Sequence, residues 1–161
     1  METVMRYDIA DFLNVGENVE EYVLMGVGFN TLDENPAPQK DSKTYISEKS
    51  QTSTIKSYQT TFAFDTDLIA SEKAVMTIYD IGRNHKTGAD AEVDYVRVEL
   101  FKPVEGEDNT FGARKFKVAV EVAGIAGSGG EIIKVTGNLS GVGDFIDGTF
   151  NTTSKVFIPA V

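Results

Sequence analysis

The chain has one histidine, His85, inside the polar run Arg83–Lys86. A histidine could move protons or hold a metal, but a triad or a multi-histidine metal site needs partners. The sequence offers none at a recognisable spacing, and a surface loop explains His85 better. Ser128 lies among glycines in Gly124–Gly130 but lacks the Gly-x-Ser-x-Gly elbow that exposes a nucleophilic serine. The same run has no Gly-Lys-Ser/Thr with which to cradle phosphate. Gly141 and Gly143 lack the third glycine of a dinucleotide fingerprint, so turn chemistry fits them better. Asp90, Glu92 and Asp94 alternate as calcium ligands do. However, Tyr95 stands where an EF-hand needs glycine, and Phe101 where it needs glutamate. Asn138–Ser140 and Asn151–Thr153 match the glycosylation triplet, which has meaning only in a secreted chain. With no cysteine, disulfides and thiolate metal sites are excluded. Nucleophile, base and cofactor signals do not converge, so the expectation is a protein without catalysis, metal or cofactor.

The other function classes are bounded by size and charge. A chain of 161 residues is expected to form one domain with a real core. No apolar run approaches the roughly 18–20 residues of a membrane span. Met1–Asp8 has no apolar signal region, so synthesis in the cytoplasm without membrane insertion is expected. The formal net charge is −10, a poor balance for gripping nucleic acid. The charge is uneven: residues 1–38 carry −7, residues 39–61 carry +2, and the remainder is mildly acidic.

The elements that would position any site are mostly strands. Residues 1–20 read as an acidic arm with Tyr7, Ile9, Phe12 and Leu13 as weak anchors. Tyr22–Phe29 reads as a first strand and Asn30–Pro38 as loop. Ser71–Gly82 is the one convincing helix, with Ser71 as candidate N-cap. Its apolar stripe through Ala74, Val75, Ile78 and Tyr79 is the pattern of packing against a sheet. After Gly88 the period becomes two. Val96, Val98 and Leu100 share a face opposite Arg97 and Glu99. Phe116, Val118, Val120 and Val122 share a face opposite Lys115, Lys117 and Glu121. Val96, Val98, Phe116, Val118 and Val120 are therefore predicted to be core. Ile132–Leu139 and short C-terminal segments complete a set of antiparallel strands. The fold class predicted is an all-β-dominated α+β domain, an antiparallel β-sandwich or flattened barrel with one packed helix.

One stretch does not fit a plain domain. Residues 36–61 are too long for an ordinary connection and too polar to fold alone, yet strand-prone around Tyr45 and Ile55. It reads as a projecting loop or hairpin that awaits a partner. Lys40, Lys43, Tyr45, Ile46, Glu48, Lys49, Ile55, Lys56 and Tyr58 are its candidate contact residues.

Tyr45–Ser50, Ser57-Tyr58, Phe62–Phe64, Ile69–Glu72, Ile81–Arg83, Gly88–Glu92 and Ala113–Lys115 come in an order that resembles a known family. Gly137–Leu139, Gly141 and Gly148–Phe150 continue it. The chain resembles the major tail proteins, the tail tube subunits of long-tailed phages of Gram-positive hosts. The resemblance runs over most of the chain and has no single diagnostic motif. It implies the phage tail tube fold over residues 1–161 and a virion protein that polymerises as stacked hexameric rings. DNA is ejected through the channel. The implied partners are other copies of the chain, a tape-measure protein, and tail terminator and baseplate proteins; DNA passes without specific binding and no membrane is engaged. An inner tube subunit of a contractile tail or phage-like injection system is the alternative, followed by a monomeric β-sandwich binding or adhesion module. In a tube, a wall of like charge would keep DNA mobile. Asp90, Glu92, Asp94, Glu99 and Glu121 are candidates to face that channel.

Overall fold

The computed structural model describes residues 1–161. Its strands are β1 (Ile9–Asn14), β2 (Tyr22–Leu24), β3 (Phe29–Asn35), β4 (Pro38–Lys43), β5 (Thr52–Tyr58) and β6 (Thr61–Asp67), followed by α1 (Lys73–Arg83). Then come β7 (Glu92–Pro103), β8 (Thr110–Ala126), β9 (Lys134–Gly141), β10 (Ile146–Asn151) and β11 (Val156–Pro159). The main sheet runs β2-β1-β7-β8-β9-β6-β3, and every pairing in it is antiparallel. β4 and β5 form a two-stranded sheet of their own. The protein is a β-dominated α+β fold with one helix, and the sheet does not close on itself. No helix is long and apolar enough to cross a membrane.

β8, 17 residues long, is the spine. One edge takes β7. The other takes β10 along Thr110–Lys115 and β9 along Val118–Ala126, so the sheet forks at Phe116-Lys117. The fork creates two apolar cores. The larger contains Leu13, Leu32, Phe62, Phe64, Tyr95, Phe116, Val118, Val120, Val135 and Leu139, with Ala74, Ile78 and Ile81 of α1 packed on them. The smaller gathers Phe12, Tyr22, Val96, Val98, Ala113 and Phe150. Alternation explains the split: along β7, Tyr95 points to one core while Val96 and Val98 point to the other. The helix lies close on β8 because residue 82 is glycine. A Cβ there would sit 2.6 Å from the Val122 side chain.

The five predicted core residues are all buried, with relative exposure of 6% or less. They serve two cores instead of one, because β7 is covered on both faces. Several sequence readings need correction. Residues 9–14 are not part of an arm; they form β1, which pairs with β7, and Phe12 and Leu13 are buried. A strand buried on both faces lacks the alternation that would have revealed it. The reading of Tyr22–Phe29 as one strand fails, because the backbone turns at Met25–Gly28, where Gly28 adopts φ +98°. The expected loop from Asn30 is mostly β3, whose outward Asp33 and Asn35 made it look like a connection. The helix starts at Lys73 after Glu72, with no side-chain cap from Ser71. Arg97 does point away from Val96 and Val98, but that face is covered too, and Arg97 is buried, 6% exposed.

Candidate assembly surfaces

The projecting stretch is a ribbon made by extending β3 and β6 beyond the sheet. Their ladder ends at Asn35 opposite Thr61 and resumes as β4–β5 at Pro38 opposite Tyr58. The break between them is chemical. Pro36 and Pro38 have no N–H to donate, and Ala37 is held at φ +48°. Main-sheet support stops at the same place: Gly141 N donates to the Thr60 carbonyl at 2.8 Å, and nothing pairs with β4 or β5 beyond. Every residue of β5 is exposed. Lys40, Lys43, Tyr45, Ile46, Glu48, Lys49, Ile55, Lys56 and Tyr58 are all exposed as well. Ile46 is fully open, and Tyr45, Ile55 and Tyr58 are 51%, 50% and 63% exposed. Polar contacts inside the ribbon are few. Thr52 Oγ1 donates to Glu48 at 2.8 Å, Lys43 Nζ sits 5.1 Å from the centre of the Tyr45 ring, and Lys56 stands 4.0 Å from Asp41. Exposed pairs of this kind contribute little stability.

The root of the ribbon is fixed by a charged cluster inside the main sheet. Arg114 of β8 holds Glu34 of β3 with two donors, Nη1 to Oε2 at 3.0 Å and Nη2 to Oε1 at 2.6 Å. Arg97 of β7 reaches the same carboxylate at 3.6 Å and Asp11 of β1 at 3.4 Å. The Tyr95 hydroxyl donates to Asp11 and accepts from Arg97 Nη1 at 3.1 Å. Arg6 completes the chain, donating to Asp11 at 2.7 Å and to the Leu32 carbonyl at 3.3 Å. Burial, and next the Asp11 carboxylate, raise Tyr95 well above the usual phenol value, so it remains a donor. Burial works against the charge on Arg97, but Tyr95, Asp11 and Glu34 outweigh it and its pKa rises. One faint sign of this cluster is legible in the chain, Arg97 between Val96 and Val98 of an apolar strand. A cleft of about 890 Å³ lies between the ribbon root and the β8–β10 fork, with Glu34, Tyr58, Arg114 and Phe145 on its walls.

The second surface is the outer face of β3, β6, β9 and the C-terminal half of β8. Its rows follow from the register. Asn35, Thr61, Ser140 and Ala119 form one row; Asp33, Ala63, Asn138 and Glu121 form the next; Thr31, Asp65 and Thr136 form a third. Asp67 and Lys134 close the end, 3.6 Å apart. No aromatic or branched aliphatic side chain stands in these rows; Lys134 is the one base within them, and Lys117, opposite Asp94, borders them. An outer sheet face normally carries long side chains lying over the strands; this one is smooth and acidic.

The five acids singled out from the sequence are not all placed together. Glu121 belongs to the smooth face and accepts from Ser140 Oγ at 2.8 Å. Glu92 is opposite Ala119, so it extends that face onto β7, and Asp94 follows it. Both have basic neighbours, Lys117 at 4.0 Å from Glu92 and Lys115 at 3.9 Å from Asp94. Glu99 is on the opposite face of β7 from Glu92's neighbour Asp94 and pairs with Lys102 at 3.1 Å. Asp90 lies in the short 3-10 turn before β7. Asp33, Asp65 and Asp67 went unnoticed in the sequence. The signal was there in the alternation of Thr61–Asp67, which sends Phe62, Phe64 and Thr66 inward.

No protein-family model matches this chain, and no curated protein sequence does. Among solved structures it is similar to a chain of the "Cryo-EM structure of the anti-feeding prophage (AFP) baseplate, 6-fold symmetrised". The identity is 8%, the TM-score is 0.47, and the alignment covers 90% of this chain and 95% of that chain.

Proposed function

We propose that this chain is a structural subunit that polymerises as stacked rings into a tail tube through which DNA is ejected. The observation that carries the reading is the ribbon of β4 and β5. It pairs with no other strand, exposes Tyr45, Ile46, Ile55 and Tyr58, and is nonetheless rooted by the part-buried Glu34–Arg114 pair and the buried Arg97 beside it. An isolated two-stranded ribbon is marginal in water. A rigid root under a displayed apolar and basic tip is what a stacking contact between rings requires. The ribbon is basic while residues 1–38 are acidic, so a contact between the ribbon and the unpaired acids of a neighbouring copy would be complementary in charge. Such charges set register more than they hold the tube.

The smooth acidic face is the candidate channel wall. DNA carries one negative charge per roughly 1.7 Å of duplex axis, and a lysine-lined wall would bind it. Asp33, Asp65, Asp67 and Glu121 would repel phosphates, and the small side chains around them offer no obstruction. In this reading the tape-measure, tail terminator and baseplate proteins are the further partners, and the assembled protein resides in the virion.

Deleting Lys43–Lys56 tests the stacking role. The ribbon contributes nothing to either core. The shortened chain is therefore expected to fold with a melting temperature close to that of the full chain. It is also expected to form no long tubes in electron micrographs. Long tubes from the shortened chain would remove the ribbon from the axial contact.

A further inference from the structure

We propose that the ribbon of β4 and β5 is a hinged cover. In the free subunit it folds down over the cleft at its root, seating Tyr58 and Ile55 on Phe145 and bringing Lys40 and Lys56 to Asp144. The closure is a property of one copy. It rests on the ring reading only for what it withholds, the stacking contact.

The hinge lies just past the fixed root. The sheet ladder ends at Asn35 opposite Thr61, and the ribbon ladder begins at Pro38 opposite Tyr58. One backbone hydrogen bond spans the gap, in which Gln59 N donates to the Ala37 carbonyl at 3.1 Å. Ala37 precedes Pro38, and a residue before proline is restricted to extended backbone. Its φ of +48° is therefore strained in the displayed position. Returning Ala37 to negative φ relieves that strain and swings the ribbon as a body. Glu34, held by Arg114, stays behind on the sheet.

The cleft separates two complementary walls. One is the base of the ribbon, residues 56–61; the other is the connection from β9 to β10, with Gly143, Asp144 and Phe145. Cross-strand partners share a face, as do residues two apart on one strand. Tyr58 pairs with Pro38, and Lys40, two residues on, pairs with Ile55. Lys56 is the extra residue of a bulge between these pairs, and with Tyr58 it lines the cleft. The cleft side of the ribbon thus gathers both large apolar side chains of β5 and two lysines. Asp41 and Thr54, the next pair, lie on the reverse side. Across the cleft, Phe145 is half exposed although it packs on Phe116 at 5.3 Å, and Val142 and Ile146 beside it are open as well. Asp144 is exposed and has no basic partner. The one ion pair within the ribbon joins Lys56 to Asp41 at 4.0 Å, so Lys40 stands alone. An apolar and basic face thus looks across a hinge at an exposed ring and an unpaired carboxylate. Closing that contact covers side chains that ring stacking would use. A growing tube must offer them a better partner, so the free subunit withholds polymerisation until it docks.

The chain has neither tryptophan nor cysteine, so each can be introduced without background. Phe145→Trp makes the only tryptophan. In the free subunit its quenching by acrylamide is expected to be severalfold weaker than in the same variant lacking Lys43–Lys56, which has no cover. Adding Ala37→Gly, which relieves the strain of the displayed position, should move quenching toward that of the shortened chain. Ile55→Cys/Asp144→Cys is expected to form a disulfide within one copy on mild oxidation. Thr54→Cys/Asp144→Cys, with Thr54 on the reverse side, is not. The oxidised Ile55→Cys/Asp144→Cys subunit should form no tubes until reductant is added. Equal quenching in full and shortened chains, with no preference between residues 55 and 54 in crosslinking, would overturn the closure whether or not tubes form. A shielded tryptophan and the selective crosslink in a chain that never forms rings would uphold the closure and overturn the ring reading.

Discussion

Replacing Asp11 with Ala is expected to cost about 3–5 kcal/mol of folding stability, the range for removing one partner from a buried ion pair. Asp11 is 2% exposed and serves three donors, Tyr95, Arg97 and Arg6. Its loss leaves the Tyr95 hydroxyl without its acceptor and removes one of the two carboxylates that face the buried guanidinium of Arg97. The Arg6 pair contributes little of the total, because half of the Arg6 side chain is in water. Asp11→Asn keeps an acceptor for Tyr95 and should lose less. Urea denaturation of the free subunit measures both. A loss below about 1 kcal/mol for Asp11→Ala would show that water reaches this cluster and that the ribbon root is not rigidly held.

Phe116→Ala should have an effect of similar size, about 3–5 kcal/mol, because it removes an aromatic ring from a packed interior. Phe116 is 4% exposed. Its ring meets Phe62 edge-on at 4.9 Å and stacks with Tyr95 at 6.0 Å, while Arg114 lies 5.1 Å from its centre. The residue stands at the fork of the sheet, where neither β9 nor β10 can close over a cavity by small shifts. Denaturation with an unchanged m value is the expected behaviour. A cost below about 1 kcal/mol would mean that the strand faces are displaced by one residue.

The alternation along Val93–Val122 made the antiparallel sheet and its core residues legible. The helix was legible from its apolar stripe to within two residues at its start. β1 was not, because burial on both faces erases the period by which strands are recognised. β3 was hidden by its acids, which sit on an outward face and look like loop composition. The projecting ribbon was visible as an excess of polar, strand-prone residues, but its root was not. Glu34, Arg97, Arg114 and Asp11 come from four strands far apart in the chain, and only the sheet order brings them together. The smooth face was hidden for the same reason. Its rows cross β3, β6, β9 and β8, so no single segment displays the pattern.

The most direct test of the tube reading is a ring-resolved electron cryomicroscopy map of the purified protein after assembly. The expected result is stacked rings with the β3-β6-β9-β8 face toward the channel, Asp33, Asp65, Asp67 and Glu121 on the wall, and the ribbon reaching the next ring. A channel lined mainly by lysine and arginine would contradict the proposed passage of DNA. A monodisperse monomer at high concentration, with no rings at all, would contradict the tube itself.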